Sequence, residues 1–313
     1  MTGPRRVPPR RVGAIDLGTN TATLLVAQSG PRRSVVPVFE RELYPRLGEA
    51  LDRTGHLSPV ACARALDAVA TLASDADAYG VESLSAVGTS ALRDGDRGGV
   101  FLAELRRLVP SLRAIAAEEE AFLATSGVLV ATSLEGPFVC IDVGGGSTEI
   151  VFGESHGGAG SFAVHASHSL ALGSVRLHDR HRAAPAPYLD AYGDARTLLF
   201  HELPNLRAGA RCVVAAAGTA ATVGAVALQG QGRPWSEGAC IDVSALDDVC
   251  LQLAALDVRS RAALHPRLEH RADVAPFGAI ILQAIAHHLD ASSLRVTSAG
   301  VAWGLASRLL TGA

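Results

Sequence analysis

Asp142, Gly144, Gly145, Gly146, Ser147 and Glu149 fall within one short stretch, FVCIDVGGGSTEIVFGE (138–154). Three consecutive glycines are entropically costly to order, and a tight turn needs only one or two. The surplus means that something comes very close to the backbone. Glycines lacking Cβ atoms let successive N–H groups converge on an anion. Asp142 and Glu149 flank the loop and suit Mg²⁺, held directly or through its retained waters. An ordinary hairpin with an indifferent turn is the alternative reading.

A second copy favours the chemical reading. GAIDLGTNTATLLVA (13–27) and VCIDVGGGSTEIVFG (139–153) share an apolar–Ile–Asp–apolar–Gly run, small or polar residues, Thr, and alternating apolar residues. Asp16 matches Asp142, and Gly18 matches Gly144. Each copy reads as strand, tight turn, strand. Two such copies imply two similarly built domains with facing loops. Gly18, Thr19, Asn20 and Thr21 then form the opposite wall of one cleft, where hydroxyl and amide groups donate to phosphate oxygens. An Asn-containing turn also has purely local explanations.

Other candidates are less sharp. VGTSALRDG (87–95) sets Arg93 just inside a helix starting near Thr89–Ser90. Its guanidinium could neutralise phosphate through two parallel hydrogen bonds or form a solvated pair with Asp94. AAEEEAFL (116–123) puts three glutamates at a helix start, where the helix dipole favours them. A carboxylate beside a bound polyanionic phosphate is also what water activation needs. AGTAATVGA (217–225) reads equally as a phosphate loop at a helix N-terminus or as close helix–strand packing. His165, His168, His287 and His288 lack partners for a transition-metal site, and His178–Asp179 is a lone pair.

Composition narrows the classes. The 313 residues are 48% hydrophobic with a formal net charge of −3. That length suffices for two domains with a buried core, and the charge gives no basic field for nucleic acid. No run of strongly apolar residues reaches membrane-spanning length. All 28 basic residues are arginine, which excludes a Walker A lysine and any Schiff-base lysine. Phosphate must therefore be met by arginine, backbone N–H groups or a metal. Five scattered cysteines fit reduced thiols in a cytoplasmic protein. MTGPRRVPPRRVG (1–13) reads as a short flexible arm.

Stepping outward along the chain, 57–80 has helical periodicity with Ser58 as N-cap. Strand, turn and helix start follow at 83–95, a helix at 98–109, and a short strand running into a helix at 112–132. A helix near 188–203, strand–turn–helix at 212–228, helical 275–289, a strand at 293–300 and a final helix complete an α/β alternation.

The segments AIDLGTNT, LGEALDRTGHLS, VGTSALRD, EEEA, IDVGGGSTEIVFG, LGSVRL, AGTAAT and RADVAPFGAIIL together resemble the exopolyphosphatase/guanosine-pentaphosphate phosphatase (Ppx/GppA) family, within the actin-like and sugar-kinase superfamily. The resemblance spans nearly the whole chain. It implies two ribonuclease-H-like (actin-like ATPase) domains, 1–125 and 126–313, around an interdomain cleft, with the last helix packing back on the first. It implies Glu120 as catalytic base and Arg93 as a catalytic residue that contacts phosphate. Gly18–Thr21 and Gly144–Ser147 would bind phosphate, and Asp142, Glu149 and Asp16 the metal. The implied cofactor is Mg²⁺ or Mn²⁺, with a monovalent cation such as K⁺. The implied activity is phosphoanhydride hydrolysis on polyphosphate or on guanosine pentaphosphate, an alarmone of the stringent response, by a homodimer. Gly173 and Arg176 match family positions without an evident role. Departures are Ala117, where the family usually has Gly, and Ala22–Thr23, where many members carry a larger polar or basic residue. The absence of lysine and of a C-terminal helical extension favours a short-chain substrate, or a nucleotide, over very long polyphosphate. A superfamily kinase using ATP and a non-catalytic sensor are the rival expectations.

Overall fold

The computed structural model describes residues 10–30, 35–96, 99–157, 161–204, 206–209 and 211–312. Chain order begins β1 (Arg11–Leu17), β2 (Ala22–Ser29), β3 (Val35–Leu43), α1 (Leu51–Thr54), α2 (Pro59–Ala78), β4 (Ser83–Gly88), α3 (Ser90–Gly95), α4 (Val100–Leu108), β5 (Arg113–Ala114) and α5 (Ala117–Thr132). It continues with β6 (Gly136–Val143), β7 (Thr148–Ser155), β8 (Phe162–Leu170), α6 (Ser174–His181), α7 (Pro187–Glu202), β9 (Cys212–Ala216) and α8 (Ala217–Gly230). The chain closes with β10 (Ala239–Asp242), α9 (Val243–Ala255), α10 (Val258–Leu264), α11 (Ala275–His288), β11 (Ser293–Val296) and α12 (Val301–Thr311).

Two sheets result, ordered β3-β2-β1-β4-β5 and β8-β7-β6-β9-β11-β10. In each, the first three strands are antiparallel and the next two run parallel to the first. The sequence repeat is thus a repeat of one topology, the ribonuclease-H-like sheet, with β10 added at one edge. Sequence patterning finds the central hairpins and misses the third strands. β3 and β8 are outer strands, and their faces are largely exposed and polar, so neither shows strict alternation. The basic arm is shorter than expected. Residues 1–9 lie outside the described residues, and Arg11–Gly13 already belong to β1.

Both central strands are buried on two faces, which makes them read as nearly continuous apolar runs. In β1, Ile15 and Leu17 pack toward α2 residues such as Val69 and Leu72. Val12 and Ala14 face the opposite way, against Val301, Ala302 and Leu305 of α12. In β6, Val139 and Ile141 join the core beneath α8, α9 and α11, while Phe138 and Cys140 face Ala121, Val128 and Leu129 of α5. By alternation, Asp16 shares the α12-facing side of β1, and Asp142 the α5-facing side of β6.

Helices α5 and α12 therefore lie between the sheets and against each other. α5 contributes Leu123 and Ala124 to the cluster of the first sheet and Val128 and Leu129 to that of the second. Such a helix must be apolar nearly all round, as AFLATSGVLVAT is. Gly304 of α12 allows the contact, since a Cβ there would overlap the Leu123 carbonyl. The last helix consequently packs on the first sheet.

Candidate active site

The two glycine loops have the same local construction. Gly18 N–H donates to the Thr21 carbonyl at 2.8 Å, and Gly144 N–H to the Ser147 carbonyl at 3.0 Å. Their carbonyl groups are taken from behind by neighbouring backbone. Gly48 N–H reaches the Thr19 carbonyl and Arg46 N–H the Asn20 carbonyl; Ser174 and Val175 N–H reach those of Gly144 and Gly145. Among the described residues, the N–H groups of Thr19, Asn20, Gly145 and Gly146 donate to no protein group.

The loops also touch each other. A Cβ on Gly145 would lie 2.9 Å from Thr19 Cβ, and one on Gly146 would lie 2.5 Å from Ser90 Oγ and 2.8 Å from Thr19 Oγ1. The close approach signalled by the three glycines is thus made first by the opposite loop. None of the three has positive φ, so proximity, and not left-handed backbone, accounts for them.

Behind this contact lies a cavity of about 90 Å³ lined by both loops, Asp16, Glu120, Asp142 and Glu149. That is room for several waters. Asp142 and Glu149 are direct partners in the β6–β7 register, so their side chains rise from one face. The equivalent pair in the first copy is Asp16 and Thr23. The duplicated hairpin thus carries a carboxylate pair only in its second copy. Ser169 Oγ donates to Glu149 Oε1 at 2.8 Å.

The three adjacent glutamates of α5 have separate fates. Glu118 is exposed. Glu119 is held by Arg113 and Arg308, and the Arg113 hydrogen bond, foremost among these contacts, keeps it down at about 2. Glu120 is 7% exposed and opens into the cavity. Burial raises its pKa, against the opposing hydrogen bond and charge of Arg93. Arg93 Nη1 bridges Glu120 Oε2 and the Ile115 carbonyl, both at 3.0 Å. Arg93 is therefore neither a free surface cation nor only Asp94's partner, whose contact is 3.6 Å. Ala117 begins α5 and is absent from the left-handed residues, so it leaves the backbone before Glu120 unstrained.

Burial raises the other three acids as well. Asp142 is pushed up to about 7, with Glu120's charge as the second cause. Asp16 and Glu149 are held well above their ordinary values by burial, then by the charges of Glu120 and Asp142. Asp16 Oδ1 is buried and has no hydrogen-bond partner. A cation would relieve all of these conflicts, so the donor set fits one. Among the described residues no three His, Cys, Asp or Glu are grouped to hold an ion. Such an ion would complete its shell with water and phosphate oxygens, as Mg²⁺ commonly does.

Sequence reasoning missed several lining residues. Thr89, Ser90 and Thr222 are almost fully buried there. Arg271 is 7% exposed, pairs with Glu42 at 2.5 Å, and leaves its Nε without a partner. A lone arginine opening the apolar stretch RADVAPFGAIIL is the signal that could have found it. In the AGTAAT segment, Gly218 and Thr219 line the cavity, and Thr219 Oγ1 donates to the Val143 carbonyl at 2.7 Å, tying α8 to β6.

Two duplicated lobes with opposed glycine loops over buried carboxylates define a phosphate-handling cleft. The sequence pattern of the Ppx/GppA phosphatase family matches residues 25–311, and the chain belongs to that family. It is 36% identical over 299 residues to exopolyphosphatase 2 of Mycobacterium tuberculosis, covering 89% of this chain and 91% of that protein. It is 30% identical to the guanosine-5'-triphosphate,3'-diphosphate pyrophosphatase of Aeromonas hydrophila, covering 95% of this chain but 59% of that longer protein. The crystal structure of an exopolyphosphatase from Cytophaga hutchinsonii superposes with a TM-score of 0.83 at 22% identity, covering 97% of this chain and 98% of that one. A Ppx/GppA family member from Aquifex aeolicus gives 0.77 at 25% identity, covering 97% and 99%.

Proposed function

We propose that the chain hydrolyses the terminal phosphoanhydride of a short linear polyphosphate or of guanosine pentaphosphate, releasing inorganic phosphate. The observation that carries this reading is buried Glu120, a carboxylate opening into the cavity that both glycine loops line.

The free N–H groups of Thr19, Asn20, Gly145 and Gly146 donate to the oxygens of the terminal phosphate. These donors stabilise charge in the transition state without reorganising. Glu120 takes the proton of the attacking water, and its raised pKa suits that task. Arg93 holds the Glu120 carboxylate in place. Asp142 and Glu149, with Asp16 opposite, would hold Mg²⁺ (or Mn²⁺), which when bound would offset charge on the phosphate oxygens. Phosphates beyond the terminal one lie toward Gly218 and Arg271. Short chains are favoured because the adjoining cavity past Gly218 is lined by Glu40 and Asp16 and by Glu42, itself paired with Arg271, with Arg267 as the only lining cation among the described residues. That acidic wall repels a longer polyanion.

Glu120→Gln tests the assignment. Phosphate release from tripolyphosphate should fall about 10²–10⁴-fold in a protein of unchanged thermal stability. Release at the wild-type rate removes Glu120 from the chemistry. Comparing tripolyphosphate, long polyphosphate, guanosine pentaphosphate and ATP, each with and without Mg²⁺, identifies the substrate. Transfer from ATP to an acceptor without phosphate release would establish a kinase, and tight binding without turnover a sensor.

A further inference from the structure

The LGSVRL segment has no part in the reading above, yet the second glycine loop rests on it. Ser174 N–H donates to the Gly144 carbonyl at 3.0 Å, and Val175 and Arg176 N–H to the Gly145 carbonyl at 2.9 and 3.2 Å. Arg176 Nε donates to the Gly146 carbonyl at 2.9 Å. Three successive loop carbonyls are thus bound by the first turn of α6. Gly173 permits the contact, because a Cβ there would overlap the Gly145 carbonyl. A peptide unit whose C=O is drawn one way turns its N–H the other way. Pinning these carbonyls behind the loop therefore directs the N–H groups of Gly145, Gly146 and Ser147 into the cavity.

The same guanidinium crosses the cleft. Arg176 Nη1 pairs with Asp52 of α1, and Nη2 lies 3.8 Å from Asp94 at the end of the helix bearing Arg93. Asp52 also binds Arg180 of α6 at 3.2 Å. The Arg176 side chain is only 19% exposed. Its fork is thereby held on both lobes, a task a point charge does not replace.

We infer that Arg176 is a positioning residue for catalysis: with the first turn of α6 it fixes the orientation of the second phosphate loop and ties that orientation to closure of the two lobes. This inference rests on the phosphatase reading, since it assigns those N–H groups to the transferring phosphate.

Arg176→Gln removes the Nε–carbonyl bond and the cross-cleft pair without touching the cavity. With tripolyphosphate, kcat should fall about 10- to 100-fold while KM changes less than about threefold. Arg176→Lys should recover only part of the loss. The pH profile set by Glu120 should keep its shape, since Glu120 is intact. A second readout is independent of turnover: in wild type, inorganic phosphate shifts the amide NMR signals of Gly145 and Gly146, and in folded Arg176→Gln these shifts are lost. Wild-type kcat and KM in Arg176→Gln, or full recovery by Lys, overturns the inference. If wild type releases no phosphate, the hydrolase reading fails, and the amide shifts alone decide the role of Arg176.

Discussion

Ala217 shows what one residue can reveal that its neighbours in sequence do not. It sits at φ 60° at the start of α8, lining both the main cavity and the acidic one beside it. Left-handed backbone costs a non-glycine residue roughly 1–2 kcal/mol, and strain of this kind collects at functional sites. Ala217→Gly should raise stability by about 0.5–1 kcal/mol, the relief exceeding the entropy glycine adds to the unfolded chain. Denaturant unfolding checks this, and an unchanged or lower midpoint contradicts it. Nothing in AAAGTAAT announces a positive φ, because the conformation is imposed by contact with the Ala299 carbonyl on a remote segment. Asp16, Asp142 and Glu149 were legible for the opposite reason: their local motif carries its own strand–turn–strand geometry. Arg271 and Thr89 reach the cavity from distant segments, so spacing along the chain says little about them.

At the level of elements, the pair α5–α12 sets where Glu120 stands. Gly127 and Gly304 let the helices approach until backbone meets backbone, the Gly300 carbonyl lying against Gly127. Gly304→Ala should cost about 1–3 kcal/mol through overpacking. It should also lower kcat, because Leu123 is one helical turn from Glu120. Thermal melts and steady-state kinetics on one preparation test both halves, and a stability loss with wild-type kcat would separate α12 from catalysis. The α2 boundaries were readable from periodicity and a cap, the Ser58 side chain accepting from Ala61 N–H as expected, and the starts of α3 and α5 from the segments that precede them. The outer strands β3 and β8 were not, since their pairing is fixed by the sheet and not by their own composition.

The whole molecule concentrates negative charge where its lobes meet. Asp142, ordinarily near 3.8, titrates at about 7 when folded. A raised carboxyl pKa contributes stability that is full below the unfolded value and lost as pH rises through the folded one. Metal-free protein should therefore lose thermal stability between about pH 4 and pH 7, most clearly on going from pH 5 to pH 8. Mg²⁺ should raise the melting temperature strongly at pH 8 and little at pH 5, and Asp142→Asn should flatten both trends. Equal Mg²⁺ effects at the two pH values would deny that the ion answers this charge. The chain crosses between lobes twice, through α5 and into α12, and those crossings lie side by side. A door hung on two adjacent pins swings about one line and resists twisting. Displacement grows with distance from that line. Glu120 and Asp142 lie beside it, Gly300 being where a Cβ would come within 3.8 Å of Asp142 Oδ2. Arg46–Asp273 and Arg176–Asp52 lie at the rim. The acids thus stand beside the crossings, where the two lobes are joined, and the ion pairs that span the cleft stand away from them.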